Sequence, residues 1–169
     1  MSALPASPRI AAGEKIYRKI ITLCARYNSG EDPGIVMRGW DADLKTLITQ
    51  KLSRLGICVL VCAPKRKPLQ EQGGTNAVIL TTKIVIESNP LLKKSDATAV
   101  LGWDADDLAD LLAIGLDGHR EPGWLTCMKL KVTGTESSRV QMANKAVTLT
   151  LEQTTILTVS YTHLTLPTT

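Results

Sequence analysis

The sequence predicts an α+β domain in which helices pack on one face of a mixed, mostly antiparallel four-stranded sheet. Three observations support this fold class. A long run of alternating aliphatic residues, Asn76–Pro90, is typical of a central strand. Leu-rich amphipathic segments lie on both sides of it in the sequence. The predicted order of elements is helix, helix, strand, long loop, strand, helix, strand, strand.

The central strand is predicted to have two different faces. Its even positions carry the aliphatic residues of a core face, Val78, Leu80, Ile84 and Ile86. Its odd positions are mixed and form a candidate subunit interface, Ile79, Lys83, Val85 and Glu87. Pro90 should end the strand because proline has no N–H for the ladder. We therefore expect one face to pack on helices and the other to meet neighbouring chain segments or a partner chain.

Three helices are predicted around this strand. The first begins at Ile10 and ends near Tyr27, with Ile16 and Ile20 on its apolar face. The second has Asp41 as its N-cap and Gly56 as its C′ residue. The third starts at Asp104 and should bury four leucines, Leu108, Leu111, Leu112 and Leu116.

The pentapeptide GWDAD occurs at 39–43 and again at 102–106, each time before a Leu-rich helix. A duplicated unit would explain the repeated pentapeptide. The same N-terminal capping sequence used at two unrelated helices would explain it equally well. The flanking sequences favour the second explanation, because the strand after Gly56 has no counterpart after Gly118 at matching spacing.

The remaining strands are predicted on both sides of the centre. The run 57–62 is apolar on both faces and should lie inside the sheet. Segments 124–133 and 139–153 alternate polar and apolar residues, with 134–138 as the turn between them.

Composition narrows the class of protein. Twenty basic and sixteen acidic residues give a net charge of +4, a mild excess that is weak evidence for nucleic acid binding. No apolar run approaches the ~20 residues of a membrane span, so no membrane partner is expected. The four cysteines match no zinc or redox spacing and are interpreted as small buried hydrophobes of a protein kept in a reducing cytoplasm.

The termini are predicted to lie outside the domain. Residues 1–9 have the composition of a flexible arm, and 10–158 form the single domain. The end of the chain, VSYTHLTLPT at 159–168, resembles the translation of a sequencing adapter more than a Thr-rich strand. We therefore treat 159–169 as a non-native tail typical of an assembled environmental sequence.

A basic segment precedes the central strand. The stretch 63–75 is long and rich in Pro and Gly, and it carries Lys65, Arg66 and Lys67 in succession. Such a loop could contact DNA or an acidic partner, or it could be a solvated charge run.

The sequence contains no convincing catalytic group, and we expect no enzyme, cofactor or metal. His119 lies in a Gly-His-Arg-Glu-Pro segment without a nucleophile motif. Asp104 and Asp106 are explained by helix capping, since the acids around them lack the spacing of a calcium loop. Cys127 is the one candidate nucleophile, and it has no evident activating base.

The organisation of 10–153 resembles that of the tail terminator, or tail-completion, proteins of long-tailed bacteriophages. The resemblance rests on the N-terminal helix, the strand ending in VLVCAP at 59–64, the long strand ending in ESNP at 87–90, the intervening helix and the final strand pair. The additional helix at 41–55 departs from the family pattern.

The resemblance implies a non-enzymatic virion protein that assembles in the host bacterial cytoplasm. It would form a ring, typically a hexamer, that caps the tail tube protein and meets the head connector protein, with Lys65, Arg66 and Lys67 able to face packaged DNA. The alternative is a small DNA-binding or regulatory domain that uses the basic loop at 63–70 and the basic residues of the first helix, Lys15, Arg18, Lys19 and Arg26.

Overall fold

The computed structural model describes residues 7–67, 77–89, 101–122, 124, 128–140 and 144–156. The elements follow in the order α1 (Pro8–Tyr27), β1 (Val36–Arg38), α2 (Leu44–Leu55), β2 (Ile57–Val61), β3 (Lys65–Lys67), β4 (Ala77–Ser88), α3 (Ala105–Leu116), β5 (Lys131–Val140) and β6 (Asn144–Ile156). Several predictions fall outside the described residues: the tail 159–169, most of the arm 1–9, the stretch 68–75, Pro90 and Cys127.

The described strands form one six-stranded sheet in the order β1-β2-β4-β6-β5, with β3 also paired to β4. β1 and β2 are parallel, and the other pairs are antiparallel. The predicted α+β class with a mixed, mostly antiparallel sheet is therefore confirmed, whereas the predicted count of four strands was wrong. β1 and β3 account for the difference, because three residues are too few to show an alternation in sequence.

β4 is the central strand, as predicted. It pairs with β2 and β3 along one edge and with β6 over its full length along the other. Its even-numbered residues are all buried: Val78, Leu80, Thr82, Ile84, Ile86 and Ser88. The Ser88 hydroxyl accepts a hydrogen bond from the backbone N–H of Ala105 at 3.2 Å, which ties the end of β4 to the first turn of α3.

Helices α1 and α3 pack on this buried face of the sheet. They contribute Ile16, Ile20, Leu23, Cys24, Ala105, Leu108, Ala109, Leu112 and Leu116 to the main core. The two helices approach closely at Gly115, where a Cβ atom would lie 2.7 Å from Leu23 Cδ1. Leu111 was predicted to be buried, but it is 40% exposed because it lies at the margin of the leucine stripe that faces the core.

Helix α2 lies over the β1–β2 edge on the opposite side of the sheet. Its Leu52 packs with Met37 of β1 and Cys58 of β2. Those two strand residues alternate with Val36 and Val59, which belong to the core under α1 and α3. The second helix therefore packs on β1 and β2, and the odd-numbered residues of β4 range from half-buried to exposed.

The helix ends test the capping predictions. Asp104 caps α3 as predicted, because its carboxylate accepts a hydrogen bond from the Asp106 N–H at 3.2 Å. Gly56 ends α2 with a φ of 77°, in agreement with the predicted C′ glycine. Asp41 was wrong as the N-cap of α2, since that helix begins two residues later and Asp43 occupies the capping position with a φ of 61° and no side-chain cap.

The start of α1 also differs from the prediction. The helix begins at Pro8, so Pro8 and Arg9 do not belong to a flexible arm. Proline is favoured in the first turn because its missing N–H would have no helical partner. Arg9 Nη1 then donates a hydrogen bond to the Pro64 carbonyl at 2.9 Å, which holds the first turn against the chain that follows β2.

The C-terminal hairpin lies further along the chain than predicted. Residues 134–138 were predicted to be the turn, but they belong to β5. The segment contains Gly, Thr and Ser, which occur in turns but also suit a solvent-exposed edge strand, and Thr135 and Ser137 are exposed here. Gly134 follows a shift in register after Val132, so the glycine marks a bulge and not a turn.

Candidate interaction face

One side of the strands β3, β4, β6 and β5 faces away from α1 and α3, and we call it the open face. It follows from the alternation of β4, because residues paired directly across antiparallel strands share a side of the sheet. Its members are Lys65, Lys67, Ile79, Thr81, Lys83, Val85, Glu87, Lys131, Gly134, Glu136, Ser138, Ala146, Thr148, Thr150, Glu152 and Thr154.

The strand register brings lysines from distant parts of the sequence to one end of the open face. Lys65 pairs with Thr81, Thr81 with Glu152, and Glu152 with Lys131, which forms a single row across four strands. Lys67 and Lys83 lie in the rows on either side, opposite Ile79 and Thr150 respectively. We call Lys65, Lys67, Lys83 and Lys131 the lysine cluster.

The position of β3 depends on Pro64. The β2 pairing with β4 ends at Val61, and the backbone N–H of Cys62 still reaches the Lys83 carbonyl at 2.9 Å. Pro64 has no N–H to donate, and it packs against Gly13 of α1, where a Cβ atom would lie 2.8 Å from Pro64 Cδ. Pairing then resumes with Lys65, which directs the basic segment along β4.

The lysine cluster has a single acidic residue within its rows. Lys67 Nζ lies 3.2 Å from Glu152 Oε1, with the two side chains 54% and 30% exposed. Lys65, Lys83 and Lys131 are exposed, and none of them has an ion pair within the described part of the chain. This end of the open face therefore carries a local excess of positive charge.

The opposite end of the open face is acidic and partly apolar. Val85 is half-buried beside Leu60, its partner on β2, and Glu87 lies one row further along. Asn144 Nδ2 donates a hydrogen bond to Glu87 Oε1 at 2.9 Å. Glu136 is exposed on β5 opposite Thr148. The open face is thus basic at one end of β4 and acidic at the other.

The structure divides both predicted sets of site residues. Lys65, Arg66 and Lys67 form a strand and not a loop, and Arg66 pairs with Leu80, so it lies on the side opposite its two neighbours. Of the predicted interface residues, Ile79 and Lys83 lie among the lysines, whereas Val85 and Glu87 lie at the acidic end. Sequence reasoning missed Lys131, because only the pairing of β5 with β6 shows that it joins this group.

The open face ends at an edge strand. β5 is ten residues long, and in the described sheet it pairs with β6 alone. Residues 135–138 are all exposed. Edge strands present unpaired N–H and C=O groups, so β5 adds backbone hydrogen-bonding capacity beside the open face.

A second polar cluster joins α1 to β1. Arg38 Nε donates to Glu14 Oε2 at 2.8 Å, and Nη2 donates to Oε1 at 2.7 Å. The Arg38 guanidinium also lies 4.0 Å from the centre of the Tyr17 ring. The hydrogen bond from Arg38 lowers the pKa of the Glu14 carboxyl, and Coulombic attraction from Arg38 and Arg18 acts in the same direction. Glu14 and Arg38 satisfy each other's hydrogen-bonding capacity, so a structural role is favoured for this pair.

His119 and the two capping acids have structural partners, and two of the cysteines are buried, whereas the candidate nucleophile Cys127 lies outside the described residues. His119 Nε2 lies 2.9 Å from Glu121 Oε1, and its ring meets the edge of Trp124. Burial raises the pKa of the Cys24 thiol to about 12 and that of Cys58 to about 12, so both are protonated at neutral pH. Asp104 and Asp106 both lie beside Lys145 Nζ, so one ammonium group partly offsets the two carboxylate charges where β6 meets the first turn of α3.

The described residues also form no metal site and no membrane-spanning helix. No three His, Cys, Asp or Glu side chains in the described ranges converge to hold a metal ion. None of the described helices combines the length and the apolarity needed to cross a membrane. A groove of about 290 Å³ lies between α2 and the Pro33–Gly34 turn, and Lys51 Nζ donates to the Gly34 carbonyl at its rim.

Comparison with known proteins adds no family to this description. A scan against protein-family models finds no match to the chain, and a search of curated proteins also finds none.

Proposed function

We propose that this chain is a structural virion protein of the tail terminator type, which assembles into a closed ring at the end of a bacteriophage tail tube. The observation that carries the proposal is the long edge strand β5 beside the open face. Native proteins usually shorten, cover or guard such edges, and residues 135–138 are exposed and contain no proline. A neighbouring copy that covers this edge would satisfy its backbone groups.

The acidic end of the open face is the part of the surface that we assign to the ring contact. Val85 supplies a half-buried apolar centre, and Glu87 and Glu136 supply charges around it. Such a contact can be heterologous, in which each copy offers its neighbour a different surface, and rotation then closes the ring. The open face is also free of the second helix, which packs on β1 and β2.

The resemblance supplies the remaining parts of the proposal. The ring would contain six copies, cap the tail tube protein and present a surface to the head connector protein. It would assemble in the cytoplasm of the host bacterium and remain in the virion. In this proposal the chain holds no cofactor and catalyses no reaction.

Light scattering coupled to size exclusion tests the ring contact with two double variants. Val85→Lys with Glu136→Lys changes the acidic end of the open face, and the full-length chain should then elute as a monomer with an unchanged circular dichroism spectrum. Leu111→Lys with Ile114→Lys is the matched control, because these side chains are 40% and 78% exposed on α3, on the other side of the sheet. Loss of the ring in the control, or its survival in the first variant, would contradict this assignment.

A further inference from the structure

We propose that the lysine cluster binds the phosphate backbone of duplex DNA without reading its sequence. The inference does not rest on the ring, because the cluster lies at the end of the open face away from Val85 and Glu87. The lysine cluster also differs from the basic loop predicted from the sequence, because Arg66 lies outside the cluster while Lys83 and Lys131 belong to it.

The lysine cluster carries an excess of positive charge. The cluster supplies four ammonium groups from β3, β4 and β5, and Glu152 supplies the only carboxylate in the same rows. Because Glu152 lies beside Lys67, the other three lysines are not neutralised by it through an ion pair. Positive charge of this kind releases condensed counterions when it meets a duplex, and that release drives sequence-independent binding.

The spacing of the lysines matches the width of a DNA groove. Lys65 and Lys131 lie three strand spacings apart, or about 14 Å. The rows of Lys67 and Lys83 are four residues apart along β4, or about 13 Å. The major groove of B-DNA is about 12 Å wide, so lysines on opposite margins of the cluster can reach phosphates on both of its sides.

The side-chain composition of the open face favours duplex DNA over other polyanions. The described residues of the open face include no aromatic side chain, whereas single-strand binding relies on aromatic groups that stack on bases. They include no Arg, Asn or Gln in the lysine rows, and the lysines are spaced to meet phosphates on both sides of a groove, so the expected contacts are to the backbone. Protein interfaces are generally poor in Lys, which argues against an acidic protein as the main partner.

Threonine hydroxyls on the open face can also contact phosphate groups. Thr81, Thr150 and Thr154 lie between the lysines on β4 and β6. Side-chain hydroxyls of this kind commonly donate hydrogen bonds to phosphate oxygens. The site is therefore a hydroxyl-bearing sheet surface with lysines at its margins.

Fluorescence anisotropy with a labelled random duplex of about 20 base pairs tests the proposal on the full-length chain. About four phosphate contacts predict a slope of −3 to −4 in a plot of log K against log salt, and about a hundredfold loss of affinity between about 50 and about 200 mM salt. The triple variant Lys65→Gln, Lys83→Gln, Lys131→Gln should reduce the magnitude of that slope by about 2.7.

The matched control removes the same charge elsewhere. Lys19→Gln, Arg26→Gln and Arg66→Gln lie on α1 and on the other side of β3, and this triple variant should bind within about threefold of the unchanged protein. Glu152→Gln should act in the opposite direction and strengthen binding, since it removes the acid beside Lys67. Oligomeric state is measured for each variant, which separates a failure of this site from a failure of the ring.

Three outcomes would overturn the proposal. One is an absence of duplex binding at low salt, and another is an equal loss in both triple variants, which would indicate a response to net charge alone. The third is tighter binding of polyglutamate or of a single strand than of duplex at equal charge concentration. Weaker binding by Glu152→Gln would also contradict the assignment of charge within the cluster.

Discussion

Lys67 of β3 reaches across β4 to Glu152 of β6, with 3.2 Å between Nζ and Oε1. The contact shows that the basic segment lies along the sheet and shares a face with the C-terminal hairpin. Both side chains are partly exposed, at 54% and 30%, so solvent screens their attraction. The pair therefore orders charge on the open face more than it stabilises the fold.

Glu152→Gln should have a small effect on stability. Exposed ion pairs contribute about 0 to 1 kcal/mol, and the free energy of unfolding from urea denaturation should change by less than about 1 kcal/mol. Ser138→Ala, an exposed substitution on β5, is the control for measurement error. A loss above about 2 kcal/mol would show that the pair holds β3 in place and would exclude Glu152→Gln as a probe of DNA binding.

Glu14→Gln should lower stability at neutral pH, because it removes the negative charge that assists both hydrogen bonds from Arg38 and replaces one acceptor oxygen by an NH2 group. We expect a loss of about 1 to 2 kcal/mol in the free energy of unfolding. Arg38 lowers the folded-state pKa of Glu14. The stabilisation is thus fully present above the unfolded pKa of about 4.3, and it is lost as the pH falls through the folded-state value.

Urea denaturation at a series of pH values measures this dependence. The difference between the unchanged protein and Glu14→Gln should shrink as the solution is acidified below about pH 4. In an Arg38→Gln background, Glu14→Gln should have little further effect at neutral pH, because the interaction is already absent. Additive effects of the two substitutions would contradict the pairing.

Gly115→Ala should destabilise the protein, although alanine is the better helix former. The new Cβ would lie 2.7 Å from Leu23 Cδ1 and 2.8 Å from Cδ2, and Leu23 is buried in the main core. Overpacking of this kind costs about 1 to 3 kcal/mol, which exceeds the gain in helix propensity. Thermal unfolding followed by circular dichroism measures the effect, and Leu23→Ala with Gly115→Ala should be more stable than the sum of the single changes predicts.

The cysteines should differ in reactivity. Burial raises the pKa of Cys24 and of Cys58 to about 12 each, and it also raises that of Cys62, which is only half-buried. Alkylation needs the thiolate and access to it, so Cys62 should react with iodoacetamide at pH 8 before Cys24 and Cys58 do. Peptide mapping after timed labelling identifies the modified residue. Labelling of Cys24 at the rate of Cys62 would show that the main core opens readily.

Local patterns in the sequence predicted the parts of the fold that depend on neighbouring residues. The alternation at Ile84 and Ile86 gave the core face of β4, and the carboxylate of Asp104 gave the start of α3. The strand β1 was missed because Val36–Arg38 is too short for a periodic signal. The turn at 134–138 was wrong because its Ser, Thr and Gly residues are compatible with both a turn and an edge strand.

The lysine cluster could be predicted only in part. The run Lys65–Lys67 is visible in the sequence, but its division between two sides of the sheet depends on β3 pairing with β4. The approach of Lys131 to Lys65 depends on two further pairings between segments distant in the sequence. Register of this kind is set by packing and by bulges such as the one before Gly134, so composition does not reveal it.

Native mass spectrometry of the full-length chain over a range of concentrations tests the proposed ring most directly. We expect one closed assembly, a fixed multiple of the 18.3 kDa chain, that does not grow as concentration rises. A chain that stays monomeric at the highest concentration, or one that forms an open series of increasing mass, would contradict it.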